Sequence, residues 1–364
     1  MIFFIPVNFP STLVLDNYGL RVGIALGMGL TTLGIWFRCL MGHSIFYAVA
    51  GQTIMALGQP FLYNAPPKIS ALWFPEEERL IATSIGAYAN IFGVAVGCFI
   101  PSVFFDDTDV HNPDTAKSHF FKMNLTLSIL CTAVLIPSVI YIRNRTEIKA
   151  EEQESVLNAM KQLCRNKNFL LVAISHGLAI TYFYIFTTLI AQMIGAYGYS
   201  QTDASYLSTA YQIAGIISGV LWSAYLAKAG SDAFRRTSLI LIVTTMGSKT
   251  YISNYIKALI LFQVSLSHWN FGAVMAVTCF NGLFNLAHFS VAYEMAVKAA
   301  NGKAGEATVC GVVNLLANAL GFAFILGLTP LLDGATKGDV LITSEILLSI
   351  LTISLILMIS VKHF

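Results

Sequence analysis

The stretch LVLDNYGLRVGIALG, residues 13–27, contains an acid, a glycine and a base within six positions of an otherwise mostly apolar sequence. Asp16, Gly19 and Arg21 separate two apolar runs, as a short polar turn between two helices does. A glycine permits a tight reversal, while an acid and a base can cap the helix ends that meet there. The stretch therefore predicts a helical hairpin with Asp16 and Arg21 at its tip.

The composition around this hairpin is that of a membrane protein. Of 364 residues, 56% are apolar and 11% are charged, and the mean hydropathy is +0.70. A soluble domain carries a charged fraction nearer a quarter, so a polytopic helical membrane protein is predicted. The net charge of +2 excludes a strongly basic surface for nucleic acid. The six cysteines contain no C-x-x-C pair, so the sequence predicts neither a metal site nor a disulfide framework, and no cofactor.

Apolar windows of about 20 residues, long enough to cross roughly 30 Å of hydrocarbon, follow one another along the chain. The residues before the first window form a stub too short to cross, which we interpret as the second half of a helix. The predicted spans are 22–40, 44–66, 81–105, 119–142, 169–196, 204–227, 237–266, 270–297, 306–330 and 341–361.

Lysine and arginine set the predicted orientation. With these spans, fifteen of the basic residues fall in loops on one side and four in loops on the other. Because cytoplasmic loops carry the excess of lysine and arginine, the first side is predicted to be cytoplasmic. The opposite loops are acidic, as in FDDTDVHNPDT at 105–115.

One mixed-charge loop divides the chain. Residues 143–168 are predicted to be a cytoplasmic loop, with a short amphipathic helix in its middle. It separates an N-terminal helical half, 1–142, from a C-terminal half of six helices, 169–364. If the first half also has six helices, a helix and a half must precede Met1, so about ten to eleven of twelve helices are present.

The hairpin has the form D-x-x-G-x-R, which resembles the loop between the second and third helices of the major facilitator superfamily. The resemblance implies an all-α, polytopic membrane fold of that superfamily, N-terminally truncated. The following residues, 51–105, resemble the feline leukaemia virus subgroup C receptor family. The residues that carry this resemblance are Gly51, Gln52, Gln59, Pro66, Lys68, Ile69, Trp73, Phe74, Ser84, Ile85, Gly86, Asn90, Gly93, Ala95, Gly97 and Pro101. It continues in FYIFTTLIAQM, 183–193, and YEMAV, 293–297.

The resemblance implies where a substrate would bind. Tyr184 matches a family tyrosine that faces the central cavity, where aromatic faces hold a quaternary ammonium by cation–π attraction. Asn318 occupies a position where the family carries a glutamine. Ile91, next to Asn90, occupies a second position where the family carries a glutamine. The further candidates for the cavity are Tyr88, Tyr182 and Gln192, the last of which could equally join two helices.

Charged and histidine side chains in or near the spans have other predicted roles. Asp16 and Arg21 are predicted to form a conformational latch, and Glu294 to act as a gate that pairs with Arg235 or Arg236 or stays solvated. His176 and His288 could ligate haem iron or be structural, hydrogen-bonded histidines. Relative to the family, MGSKTYISNYIKAL, 246–259, interrupts the ninth helix.

These observations predict a membrane transporter, in the plasma membrane or an internal membrane, that moves a small organic cation by alternating access. The resemblance implies choline or ethanolamine as the substrate. Two alternatives stay open: a haem or porphyrin transporter, and a receptor-like or incomplete pseudo-transporter that does not transport. No phosphate-cradling loop or nucleophile elbow is found, so an enzyme is not predicted. The oligomeric state is left open.

Overall fold

The computed structural model describes residues 2–105, 113–142, 156–228, 236–238, 240, 271–300 and 306–361. These residues are helical, with short turns between the helices. The helices are α1 (Phe4–Asn17), α2 (Leu20–Arg38), α3 (Ile45–Tyr63), α4 (Ala65–Trp73), α5 (Glu76–Phe104), α6 (Pro113–Tyr141), α7 (Val156–Arg165), α8 (Lys167–Gly195), α9 (Gln201–Lys228), α10 (Phe271–Asn285), α11 (His288–Ala300), α12 (Glu306–Leu332) and α13 (Lys337–Ile359).

The apolar runs fold as the sequence predicts. Within the described ranges, seven helical stretches are long and apolar enough to cross a membrane, and they coincide with seven of the predicted spans. They are Leu20–Gly42, Ile45–Ser70, Ile81–Phe104, Asp114–Tyr141, Lys167–Gly195, Thr308–Leu332 and Lys337–Ile359. The predicted span 204–227 lies in α9, which has 28 residues. Most of the predicted span 237–266, with the interruption at 246–259, lies outside the described residues.

The quoted hairpin forms at α1 and α2. Gly19, between the two helices, has φ of 87°, a conformation that glycine adopts without the steric cost of a Cβ atom. The turn brings Gly23 of α2 against Leu15 of α1, which is fully buried. Arg21 lies at the exposed start of α2, and the side chain of Asp16 is outside what the structure describes. The predicted pairing of these two charges therefore stays a prediction.

Glycines set the spacing of α2 and α3. A Cβ atom on Gly34 would lie 2.5 Å from the main-chain oxygen of Gly51, and one on Gly58 would lie 2.6 Å from that of Gly27. Such distances are too short for any side chain, so the two backbones touch. Close approach through small residues is typical of helix packing in membranes, where van der Waals contact takes over from the hydrophobic effect.

The second part of the chain has the more extensive core. Residues of α7 to α13 form one buried apolar cluster, which Tyr88 and Ile91 of α5 join. At its centre lies α8, whose apolar residues are buried over most of its length. The amphipathic helix expected within residues 143–168 is found as α7, which packs on α8 and α12. Residues 143–155 lie outside the described part.

One segment that was predicted as a single span is interrupted in the structure. Residues 270–297 form two helices, α10 and α11, with a turn at Leu286 and Ala287. The main-chain carbonyls at this break are bound by neighbouring hydroxyls, since Ser218 donates to Leu283 and Tyr88 donates to Leu286. Irregular backbone at membrane depth is tolerated where protein groups satisfy it in this way.

Candidate functional site

Aromatic side chains surround a narrow central cavity. They come from α3, α8 and α11, so distant parts of the chain supply its walls. The aromatic lining residues are Tyr63, Phe183, Tyr184, Phe289 and Tyr293. Phe183 meets Phe289 edge to face, with ring centroids 5.7 Å apart. This geometry fixes the ring faces at defined angles around the cavity.

Amides and hydroxyls supply the polar part of the lining. Thr83 and Asn90 come from α5, and Asn314 comes from α12. None of the described lining residues carries a charge. An ammonium group in this cavity would therefore meet ring faces and neutral dipoles, in place of a carboxylate.

Tyr184 has polar neighbours on two sides. Its hydroxyl lies near the side chains of Tyr63 of α3 and Asn318 of α12. The contact with Tyr63 joins the N-terminal helices to α8 at the cavity. Asn318, which is 2% exposed, is further held because its Nδ2 donates to the main-chain oxygen of Asn314 over 2.9 Å. Tyr184 therefore has a defined orientation.

Tyr293 is the second tyrosine with a fixed hydroxyl. Its Oη donates to Oδ1 of Asn314, which joins α11 to α12. His176 lies behind it, with the two ring centroids 5.1 Å apart. Tyr293 and Asn314 therefore form a connected polar edge of the cavity, and neither was among the residues singled out from the sequence.

The cavity is nearly closed. Its volume is about 60 Å³, well below the roughly 300–1,000 Å³ of typical small-molecule sites. A ligand can fill it only if the surrounding helices move apart. A site that must open to be loaded fits transport by alternating access, in which the walls of the site belong to parts that rock against each other.

The structure brings together part of the predicted site. Tyr184, Asn90 and Ile91 line the cavity, and Asn318 contacts Tyr184 from behind. Ile91 is 3% exposed, so it is an apolar wall at the position where the resembling family carries an amide. These placements put four of the seven candidate cavity residues at one place in the molecule.

Tyr88 and Gln192 do not line the cavity, which corrects the prediction. Tyr88 donates its hydroxyl to the main-chain oxygen of Leu286 over 3.2 Å, and its ring lies against Gly219 of α9. Gln192 is exposed near the end of α8. Tyr182 also faces elsewhere, since it is fully buried with its hydroxyl 3.4 Å from Oδ1 of Asn281.

The two candidate haem ligands lie in the core. His176 and His288 have exposures of 0% and 1%, with ring centroids 5.3 Å apart. Nδ1 of His288 is 3.3 Å from the hydroxyl of Ser238. Neither histidine lines the cavity, and the described residues hold no cluster of three metal-ligating side chains. This placement favours the structural interpretation of His288, whereas both ring nitrogens of His176 lack a hydrogen-bond partner among the described residues.

Glu294 lies in the middle of α11, six residues from either end. Its carboxylate is 3.8 Å from Nζ of Lys298, one turn further along the same helix. Both side chains are about one-third exposed, so this ion pair adds little stability. Arg236 is exposed, and Arg235 lies outside the described residues.

Comparison with known proteins identifies the family to which this fold belongs. The family model described as Major Facilitator Superfamily matches residues 1–326. The chain belongs to the major facilitator superfamily. The E. coli fucose:proton symporter FucP has the same fold, with a TM-score of 0.69 at 12% identity over 100% of this chain and 89% of that chain. The predicted all-α fold of this superfamily and the multi-pass membrane location are confirmed.

Curated relatives match most of this facilitator chain. The choline/ethanolamine transporter FLVCR1 of Felis catus is 26% identical, over 90% of this chain and 58% of its own length. Human FLVCR2, also named a choline/ethanolamine transporter, is 25% identical over 93% of this chain and 65% of its own length. Danio rerio flvcr2b is 25% identical over 96% of this chain and 72% of its own length. The chain spans about three fifths of the first two relatives, and the family resemblance read from 51–105 is confirmed.

Proposed function

We propose that the protein of this chain transports a small organic cation, choline or ethanolamine, by alternating access. The observation that carries the proposal is the cavity around Tyr184, with five aromatic rings and no charged residue among its described lining. Ring faces attract an ammonium group by about 0.5–2 kcal/mol each. The relatives named as choline/ethanolamine transporters support the same substrate class.

The polar groups suit the other end of such a substrate. Choline and ethanolamine carry one hydroxyl each, and Tyr184, Tyr293 and Asn314 offer hydroxyl and amide partners beside the rings. A site with few convergent polar groups on an apolar wall fixes the orientation of a small ligand. In this proposal the protein is not an enzyme, has a small-molecule substrate and needs no cofactor.

The two halves of the chain have separate roles in the proposal. Residues 1–142 and 169–364 move against each other, with 143–168 as the cytoplasmic connection. Asp16 and Arg21 act at the cytoplasmic ends of their helices and Glu294 acts in the cytoplasmic part of the second half, where they stabilise one access state without contacting the substrate. Tyr63 and Tyr184 line the same cavity from the two halves, which supports this division.

The haem alternative has less support in the geometry. An axial ligand would have to face a cavity of porphyrin size, but His176 and His288 are buried behind Phe289 and Tyr293. We therefore place haem second. The receptor-like alternative does not require that the cavity bind a substrate. Only a transport measurement therefore distinguishes it from the proposal.

The test is uptake of labelled choline, ethanolamine and haem, measured in parallel in cells that express the full-length protein. Uptake of choline or ethanolamine, reduced in Tyr184→Ala and retained in the matched control Tyr182→Phe, is the expected result. The control alters a tyrosine of the same helix that does not line the cavity. Haem uptake alone would select the second alternative, and no uptake of any of the three would select the receptor-like one.

A further inference from the structure

A buried polar cluster joins α1, the α3–α4 turn and α12 beside the cavity. Nδ2 of Asn8 donates to the main-chain oxygen of Gly311 over 3.1 Å, and Nδ2 of Asn64 donates to Oδ1 of Asn8 over 2.9 Å. Asn8 is 4% exposed and Asn64 is fully buried. We call Asn8, Ser11, Thr12 and Asn64 the asparagine cluster.

Asn64 is the centre of this cluster. Its Nδ2 also lies 3.2 Å from Oγ of Ser11 and 3.5 Å from Oγ1 of Thr12. Both hydroxyls in turn donate to the main-chain oxygen of Asn8, over 2.7 Å and 3.0 Å. These bonds fix the Asn8 carboxamide so that its own N–H points at α12. Preorganised donors of this kind make a single contact specific.

The contact with α12 is made at Gly311, within van der Waals distance of the cluster. A Cβ atom on Gly311 would lie 3.6 Å from Oγ1 of Thr12 and 3.7 Å from Nδ2 of Asn8. Oδ1 of Asn64 would lie 3.9 Å from the same point, and this buried oxygen has no hydrogen-bond partner among the residues that the structure describes. The whole cluster thus faces one turn of α12.

The cluster lies on one side of the cavity. Asn64 follows Tyr63 directly in the chain, and Gly311 follows Cys310, and both preceding residues line the cavity. From there α1 runs to its end at Asn17, and α12 begins at Glu306. The cluster therefore lies beside the cavity, and both helices extend from it toward the end of the bundle where the basic loops lie.

The same end is marked by a second contact. Asn166, the N-cap of α8, donates through Nδ2 to the main-chain oxygen of Ala299 over 2.7 Å. The start of α8 and the end of α11 therefore meet at the end of the bundle at which α12 begins. We call this the basic end, after Arg165, Lys167 and Lys298, which lie there.

We propose that the asparagine cluster is a latch that holds α1 and α4 to α12 and keeps the cavity closed toward the basic end. The proposal deepens the transport function, since release of the latch would be the opening of one access route. A ligand with different affinity for the open and closed arrangements would shift their populations. The latch itself is a property of the chain that can be measured without any substrate.

Cys310 provides the native reporter. It is 2% exposed and lines the cavity next to the latch. With the other cysteines replaced by alanine, a membrane-impermeant maleimide is applied to vesicles of either orientation that contain the full-length protein. Slow labelling is expected from both sides. In Asn8→Ala and Asn64→Ala, labelling from the basic end should become roughly two- to tenfold faster, the effect of losing one hydrogen bond.

Asn124→Ala is the matched control. Asn124 is also a fully buried asparagine of the N-terminal helices, but its Nδ2 donates to Phe120 of its own helix and to Sδ of Met41, and within the described part of the chain it makes no hydrogen bond to α12. Its substitution should leave the labelling rate of Cys310 unchanged. An equal increase in this control, or an increase from both sides of the membrane, would show general loosening and overturn the latch.

Asn8→Asp tests the donor itself. The carboxylate keeps the shape and can still accept from Asn64, but it cannot donate to Gly311 when ionised. Faster labelling from the basic end is expected here as well, even if Asn8→Ala fails to fold. A folded Asn8→Asp protein with the original labelling rate would overturn the proposal. Because no arm measures uptake, a failed latch and a failed transport function give different results.

Discussion

Tyr88 of α5 donates its hydroxyl to the main-chain oxygen of Leu286 over 3.2 Å, in the turn between α10 and α11. The ring reaches this turn because Gly219 of α9 has no side chain, and a Cβ atom there would lie 2.1 Å from the Tyr88 ring. A residue expected to bind substrate is thus a support for a broken helix. The relationship makes a direct prediction about stability.

Gly219→Ala should destabilise the fold more than Tyr88→Phe. The alanine methyl would overpack the contact at a cost of about 1–3 kcal/mol, whereas the phenylalanine loses one hydrogen bond, worth about 0.5–1.5 kcal/mol. Thermal unfolding of the purified protein in detergent measures both. Gly327→Ala is the control, because nothing lies within 4 Å of its Cβ position. A loss at Gly327 as large as that at Gly219 would contradict the packing argument.

Tyr184 is expected to act through its ring. If the substrate is an ammonium compound, Tyr184→Phe should keep most of the binding, because the aromatic face remains. Tyr184→Ala should weaken binding by about 0.5–2 kcal/mol, roughly two- to thirtyfold. Competition for uptake by unlabelled choline gives the numbers. Equal losses in both variants would point to the hydroxyl as the group that binds, and would contradict a cation–π site.

Ile91→Gln should shift preference toward choline. The side chain lines the cavity, and an amide there would return a polar partner for the substrate hydroxyl. The measurement is the inhibition of uptake by choline relative to tetramethylammonium, which has the same cationic head without the hydroxyl, in the variant and in the native protein. Ile91→Leu, which keeps an apolar side chain of similar volume, is the matched control. An unchanged ratio of the two inhibition constants in Ile91→Gln would remove this position from substrate selection.

A tag inserted between residues 143 and 155 should be reachable only after cells are permeabilised. The lysine and arginine bias of the loops places this connection in the cytoplasm. Antibody staining of intact and permeabilised cells decides the point. A tag in the acidic loop, 106–112, serves as the opposite control and should stain intact cells. Staining of the first tag in intact cells would overturn the orientation.

Asp16→Asn is expected to slow maximal transport more than it weakens substrate affinity. Asp16 lies near the end of α1, next to the hairpin turn, and is not among the residues that line the cavity, so its charge can favour one conformation without touching the ligand. Kinetics of uptake separate the two effects. A loss of affinity at an unchanged maximal rate would place Asp16 in the site and exclude the latch predicted for it.

The sequence predicts the helices well because length and apolarity alone decide whether a segment spans a bilayer. The break at Leu286 and Ala287 could not be predicted in this way. Neither residue is glycine or proline, and the turn is stabilised by hydroxyls on α5 and α9. The local sequence signal for the break is weak: two polar residues, Asn285 and His288, flank the turn.

Only part of the cavity lining was predicted from the sequence, because the sequence does not show which face of a helix meets which neighbour. Tyr88 precedes Asn90 by two residues, about 200° around a helix, so the two side chains cannot share a wall. Periodicity alone therefore argues against pairing them. Phe289 and Tyr293 lie four residues apart and share a face of α11. That spacing was visible in the sequence, but its meaning depends on which helix α11 faces.

The break between α10 and α11 has a mechanical consequence. Each helix is a short rod with its own ladder of hydrogen bonds, and the turn between them is fastened by two hydroxyls from outside. The angle between the rods can change at the expense of those two contacts, while both ladders stay intact. Since α11 carries Phe289 and Tyr293, a hinge at this turn would rotate one wall of the cavity while α10 stays in place.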